Sequence, residues 1–180
     1  MDLREVTEFC RDFMGYIIAV AVLLFVMLFI IAVQPIAGNS MNPTLKDGQF
    51  TLVLKCSYLF SPVERGDIVA LTNHDKSYVK RVIGLPGEKI EYMDGKLLIN
   101  DETYLEKYLG DKVVTTNFTF SDICSKKDCP DGKIPEGKYM VMGDNRPESK
   151  DSRDKEEFGL VDKKDIKGKI FFSLNPFGGV

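Results

Sequence analysis

The chain has 180 residues, a formal net charge of -3 and 28% charged residues. Lys and Asp/Glu interleave without a basic stripe, which argues against nucleic acid as a partner. No segment repeats or is low in complexity, so most of the chain reads as globular, and runs such as Ser125-Lys126-Lys127-Asp128 and Asp162-Lys163-Lys164-Asp165 read as solvated loops.

Residues 1–12 form a short mixed-charge tail, and an unbroken apolar run follows over 13–33, with no charge between Asp12 and Lys46. As a helix at ~1.5 Å per residue, the run measures roughly 30 Å, the hydrocarbon thickness of a bilayer. It predicts a transmembrane anchor, whereas a cleavable leader would have an apolar region of about 7 to 15 residues. Pro35-Ile36-Ala37-Gly38 offers only a weak version of a small-residue cleavage site. Charges flanking the span do not orient it, because Arg4 and Arg11 face Lys46 and Lys55. Residues 34–180 leave room for one domain with its own core.

In that domain the pattern changes to short apolar runs with period-two alternation, separated by Gly, Pro, Asn and Asp, which predicts a mainly β, barrel-like or sandwich fold. Strands are expected at 49–54, 67–71, 77–83, 89–92, 96–99, 138–142 and 169–174, with Asp94-Gly95 as a hairpin turn and a short helical turn at 104–108. The most polar stretch, about 95–137, reads as a small β extension on the main domain. Four cysteines form no metal pattern, and the single His74 excludes most His-based sites, so neither metal nor cofactor is expected. Cys124 and Cys129 could form a disulfide if the domain lies in an oxidising compartment.

Three segments carry candidate chemistry. Ser40, in Gly38-Asn39-Ser40-Met41-Asn42-Pro43-Thr44-Leu45, reads on its own either as a helix cap or turn residue or as a nucleophile. Lys80 lies in Tyr78-Val79-Lys80-Arg81-Val82-Ile83-Gly84-Leu85-Pro86-Gly87, where strand alternation puts it on one face with Tyr78 and Val82. Burial there would disfavour the charged amine, and bringing its pKa near 8 takes about 3 kcal/mol. An exposed edge lysine is the competing reading. Met142-Gly143-Asp144-Asn145-Arg146 and Ser149-Lys150-Asp151-Ser152-Arg153 form a third polar group, which a charged turn would also produce. His74, the candidate for a Ser-His mechanism, sits in the polar turn Thr72-Asn73-His74-Asp75-Lys76 and reads as an exposed turn residue.

Taken together in this order, the anchor and the three segments closely resemble the type I signal peptidases, membrane serine proteases that remove secretory signal peptides. The resemblance implies Ser40 as nucleophile and Lys80 as general base. It implies that Ser149 bonds the lysine amine, that Asp151 and Arg153 hold the site through an ion pair, and that Asp144 and Arg146 support it. Ile36, Met41, Tyr78 and Val79 would line shallow substrate pockets. The implied substrates are exported preproteins with small residues at the first and third positions before the cut. The implied surroundings are a lipid bilayer crossed once, with the N-terminus cytoplasmic and the catalytic domain outside; no particular oligomeric state is implied. Some relatives carry a serine two positions before the nucleophile as an oxyanion donor. Gly38 occupies that position here, so a second donor would have to be backbone or water. A self-cleaving repressor relative would share the β fold and the dyad but would need a DNA-binding module, and an inactive anchored scaffold would differ only in activity.

Overall fold

The computed structural model describes residues 3–110, 113–175 and 177–179. Helix α1, Leu3–Phe25, continues through a π-helical turn, Val26–Ile30, and the stretch Arg11–Ile30 is long and apolar enough to cross a membrane. The helix stops short of the expected boundary at 33, because Ile31–Pro35 forms strand β1 and pairs antiparallel with β2, Phe50–Leu54. β-branched residues suit the ladder, and the partner strand supplies hydrogen bonds that a continuing helix would forgo. Lys55 closes the junction, donating its N–H to the Ile30 carbonyl at 2.8 Å and its Nζ to the Leu28 carbonyl at 2.8 Å. A cation at the open carbonyls of a helix C-terminus is electrostatically favoured.

Past β2 come a one-turn helix α2, Ser57–Phe60, then β3, Ile68–Asn73, and β4, Lys76–Gly84. A small sheet follows, made of β5, Ile90–Met93, β6, Lys96–Ile99, and β7, Glu102–Tyr104. Helix α3, Phe120–Ile123, leads to β8, Lys138–Met142, β9, Val161–Asp162, β10, Ile166–Leu174, and β11, Phe177–Gly179. The main sheet is antiparallel in the order β1-β2-β10-β3-β4-β8-β9, with β11 on β10. All seven expected strands are present within a few residues. β1, β7, β9 and β11 were not expected, being short or, for β1, hidden in the apolar run. Asp94 and Gly95 have φ of 50° and 76° and make the expected hairpin turn. No helix forms at 104–108: Tyr104 ends β7 and the chain turns at Lys107 and Tyr108.

The small sheet begins at Ile90, earlier than the expected limit of 95, and it shares its core with the main sheet. Ile90, Tyr92 and Leu97 cluster with Ile83, Met140 and Met142 of β4 and β8. Gly84 permits this approach, since a Cβ there would come within 2.9 Å of Ile90 Cγ1. Cys124 and Cys129 form a disulfide buried in the same cluster, whereas Cys56 is a free, half-buried thiol in the turn after β2.

Candidate active site

Two buried apolar anchors hold the Ser40 segment in place. Met41 and Leu45 are 1% and 0% exposed in a cluster with Ile36, Val53, Val79 and Ile170, and the Leu45 N–H donates to the Met41 carbonyl. The turn after β8 then fastens the segment: Asn145 donates its N–H to the Ser40 carbonyl at 3.0 Å and its Nδ2 to the Asn39 carbonyl at 3.1 Å. Thr44 Oγ1 donates to Asp144 Oδ2 at 2.5 Å. Gly143 lies where no side chain fits, because a Cβ would collide with both the Ser40 carbonyl and the Ser149 side chain. The Ser40 and Ser149 segments therefore meet at Gly143.

β4 delivers Lys80 to this point. Its neighbours on the same face, Tyr78 and Val82, belong to one apolar cluster, and Lys80 itself is only 2% exposed. Its Nζ donates to Ser149 Oγ at 3.0 Å. Burial lowers its pKa to about 8; Asp151 and Asp144 oppose the shift and Arg153 reinforces it. An ammonium carries three donors, and a buried one with a single hydroxyl acceptor is poorly satisfied, so the neutral amine is far more accessible near physiological pH than in a free lysine. Among the described residues Ser40 Oγ makes no hydrogen bond and no acceptor takes the Ser40 N–H. Nucleophile–base contacts are commonly loose without substrate and tighten when it binds.

The charged residues around Lys80 form ion pairs, although not all as the sequence suggests. Arg153 Nε donates to Asp151 Oδ1 at 2.8 Å, and Asp151 Oδ2 accepts the Gly143 N–H at 2.9 Å. Arg153 Nη2 also donates to the Arg146 carbonyl at 2.7 Å, closing the Asn145–Arg153 loop on itself. Asp144 pairs with Arg81, whose Nε and Nη2 reach its two oxygens at 2.9 and 2.7 Å. Arg146 pairs with Glu106, and its Nη1 reaches Thr115 Oγ1 at 3.1 Å. Arg81, Thr44, Glu106 and Thr115 had not been singled out. Arg81 and Thr44 sit inside the motifs and could have been, whereas Glu106 and Thr115 lie in the polar stretch with no local signal.

An open cleft of about 240 Å³ brings Ser40 together with Ile36, Met41, Tyr78 and Val79, beside Gln34 and Ser77. A larger cavity of about 670 Å³ lies against Arg146, Ser149 and Arg153 but does not reach Ser40, so the smaller cleft is where a reacting carbonyl can meet the hydroxyl. Gly38, at φ +86°, gives its N–H to Asp47 Oδ1 at 2.7 Å and so is taken, whereas the Ser40 N–H is open. His74 is exposed in the β3–β4 turn, away from this cleft. Among the described residues no group of three His, Cys, Asp or Glu could hold a metal ion.

The family model for signal peptidase, peptidase S26, matches residues 10–175. The chain belongs to the signal peptidase I family. It is 42% identical to signal peptidase IB of Staphylococcus aureus strain Mu50, over 93% of this chain and 92% of that one. Signal peptidase I of Bacillus licheniformis is 39% identical, over 91% and 87%. A crystal structure of a signal peptidase I from Enterococcus faecalis V583 superposes with a TM-score of 0.52 at 35% identity, covering 61% of this chain and 97% of that one. The protein is thus a serine endopeptidase of the signal peptidase I family, with the Ser-Lys mechanism of that family, and it acts in signal-peptide removal. The N-terminal apolar helix fits membrane anchoring.

Proposed function

We propose that Ser40 is the nucleophile and Lys80 the general base of this signal peptidase. The observation that carries the assignment is the buried Lys80 amine, its pKa lowered to about 8, bonded to Ser149 and brought beside the Ser40 segment through Gly143. Neutral Lys80 takes the Ser40 proton as Oγ attacks the scissile carbonyl, and the Ser40 N–H stabilises the oxyanion, an effect worth about 3 kcal/mol per donor. The lysine ammonium then protonates the leaving amine and an ester remains on Ser40. Lys80 next deprotonates a water that hydrolyses the ester, which restores both groups. Ser149 orients the amine, while the Asp151–Arg153, Asp144–Arg81 and Arg146–Glu106 pairs hold the loop that carries Gly143 and Ser149.

The substrates are exported preproteins lying extended in the cleft, with small side chains against Ile36, Met41, Tyr78 and Val79. Residues 1–12 are a cytoplasmic tail, one helix crosses the bilayer, and the domain that follows lies outside. The buried Cys124–Cys129 disulfide supports that side, since disulfides persist in oxidising compartments. Detergent-solubilised protein should cut a signal-peptide substrate at one position, mapped by mass spectrometry. Ser40→Ala, Lys80→Ala and Lys80→Arg should each lower kcat by about 10⁴-fold or more with folding intact, Lys80→Arg because guanidinium stays protonated. Full activity in Ser40→Ala would refute the assignment.

A further inference from the structure

The run Val113-Val114-Thr115-Thr116 is β-branched throughout, yet it belongs to no strand. Residues of this kind favour an extended backbone. The chain passes through 113–117 without turn or bend, and Val114 and Thr116 are exposed on either side of the buried Thr115, which is the alternation of a strand. The Thr115 hydroxyl is held by Arg146 Nη1 at 3.1 Å, which fixes the middle of the run. Among the described residues no backbone N–H or carbonyl of 114–117 makes a hydrogen bond. A strand edge left unpaired in this way is a template for a second chain.

This edge borders the catalytic loop. Val114 and Thr116 line the cavity of about 670 Å³ together with Arg146, Pro147, Ser149 and Arg153. Ser149 Oγ accepts from Lys80 Nζ at 3.0 Å. The leaving amine stands within hydrogen-bond reach of the same Nζ, because that ammonium protonates it, so it lies within two hydrogen bonds of Ser149. The substrate beyond the cut therefore begins beside this cavity. A cleft of about 360 Å³ also opens nearby, but it lies on the Tyr78 side, as does the cleft for residues before the cut, and it does not touch Ser149. Charges around the larger cavity are mixed, Asp122, Asp154 and Glu156 against Arg153 and Lys155, which suits a chain recognised through its backbone rather than its charge.

We propose that 113–117 is a docking strand for the substrate on the far side of the cut, where about the second to fifth residues after the scissile bond add to it as a β-strand in the cavity beside Ser149. This rests on the Ser40 and Lys80 assignment above. At ~3.3 Å per residue, four substrate residues span about 13 Å, the length of an extended 114–117. Because the bonds go to backbone, many sequences fit, and what the strand rejects is a residue without an N–H at a paired position. A chain held on both sides of the scissile bond presents its carbonyl to Ser40 in a fixed orientation.

The test uses the full chain in detergent and signal-peptide substrates that end one, three or five residues after the cut. From one residue to five, kcat/KM should rise about tenfold, and a flat series overturns the proposal. N-methylation of one substrate amide at a time, from the second to the fifth residue, should lower kcat/KM about fivefold at alternate positions only, because neighbouring N–H groups of a strand point to opposite edges. Losses at all four positions, or at none, are incompatible with a ladder. On the enzyme, Thr116→Pro and Asn117→Pro each remove one N–H from an exposed residue, and one of the two should erase the gain of the five-residue substrate. If both keep the full gain, the docking strand is wrong; if either unfolds, the N-methyl series on the unmodified chain decides. Ser40→Ala, which holds the substrate uncut, gives the location: benzoylphenylalanine at the third residue after the cut should crosslink to 113–117, whereas crosslinks to 150–158 would put the chain in the Tyr78 cleft and sink the proposal. If the unmodified chain cuts none of the substrates, the Ser40 and Lys80 assignment fails, and the crosslink still decides the docking strand.

Discussion

The main sheet and the small sheet bury their apolar residues in different ways, and the site depends on both. Strands of the main sheet cover one another, as when Val69, Leu71, Val82 and Val141 form one cluster. The β5-β6-β7 sheet has no second layer of its own, so its buried residues pack on Ile83, Met140 and Met142, and the disulfide and α3 complete the cover. Strands of three or four residues and a one-turn helix make a marginal core by themselves. Yet the segment after β7 supplies Glu106 to Arg146, Thr115 to the same guanidinium, and the Tyr108 ring, 4.1 Å from the Arg81 guanidinium carbon. The extension is therefore a wall of the site, with a core borrowed from the catalytic sheet.

The sharpest way to break this comparison is through Arg146 and Glu106, whose side chains are 0% and 7% exposed. Glu106→Ala leaves a buried guanidinium unpaired and should cost about 3 to 5 kcal/mol, with cleavage falling in step, as read by denaturant unfolding and turnover. Normal melting with normal turnover would return the extension to the status of an appendage. Asp151→Asn and Arg153→Ala make the matching test within the catalytic loop, where the pair is 0% and 14% exposed.

The next effect belongs to the main sheet alone. Because the folded pKa of Lys80 is depressed to about 8 from 10.5, the unfolded chain binds the extra proton, and the native state gains stability as pH rises from about 8 to 10.5. Below pH 8 the penalty is fully present at about 3 kcal/mol, so Lys80→Met should be the more stable protein at pH 7 and lose that advantage by pH 10.5. Melting curves across this range decide it. Cleavage should rise through an apparent pKa near 8, well above that of imidazole.

A smaller effect isolates the extension. Cys124→Ser with Cys129→Ser should remove about 2 kcal/mol, seen by hydrogen exchange as faster opening of residues 90–134 than of β3 and β4. Uniform loss of protection would mean that the two sheets unfold as one unit. Smallest of all, His74→Ala in the exposed turn should change stability by under about 0.5 kcal/mol and leave the pH profile in place. Loss of activity near pH 6 to 7 in that variant would make histidine the base.

Local pattern made much of the protein legible before folding: the apolar run, the alternating strands, the Asp94-Gly95 turn, and the motifs around Ser40, Lys80 and Gly143. These signals are short-range, since periodicity and turn chemistry depend on residues a few positions apart. The seat of Lys80 was legible for the same reason, because alternation alone places it on the side of Tyr78 and Val82. Ile31-Ala32-Val33 misled, because the same apolar residues suit a membrane helix or a strand, and only pairing with Leu52, Val53 and Leu54 decides between them. Asp144 turned to Arg81 and Arg146 to Glu106, choices made by distance in space between groups up to 63 residues apart in sequence. The sequence by itself determined the kinds of element and the reactive residue types; which charges pair and how far the small sheet extends were decided by tertiary packing, because those quantities depend on contacts between segments that no local pattern brings together.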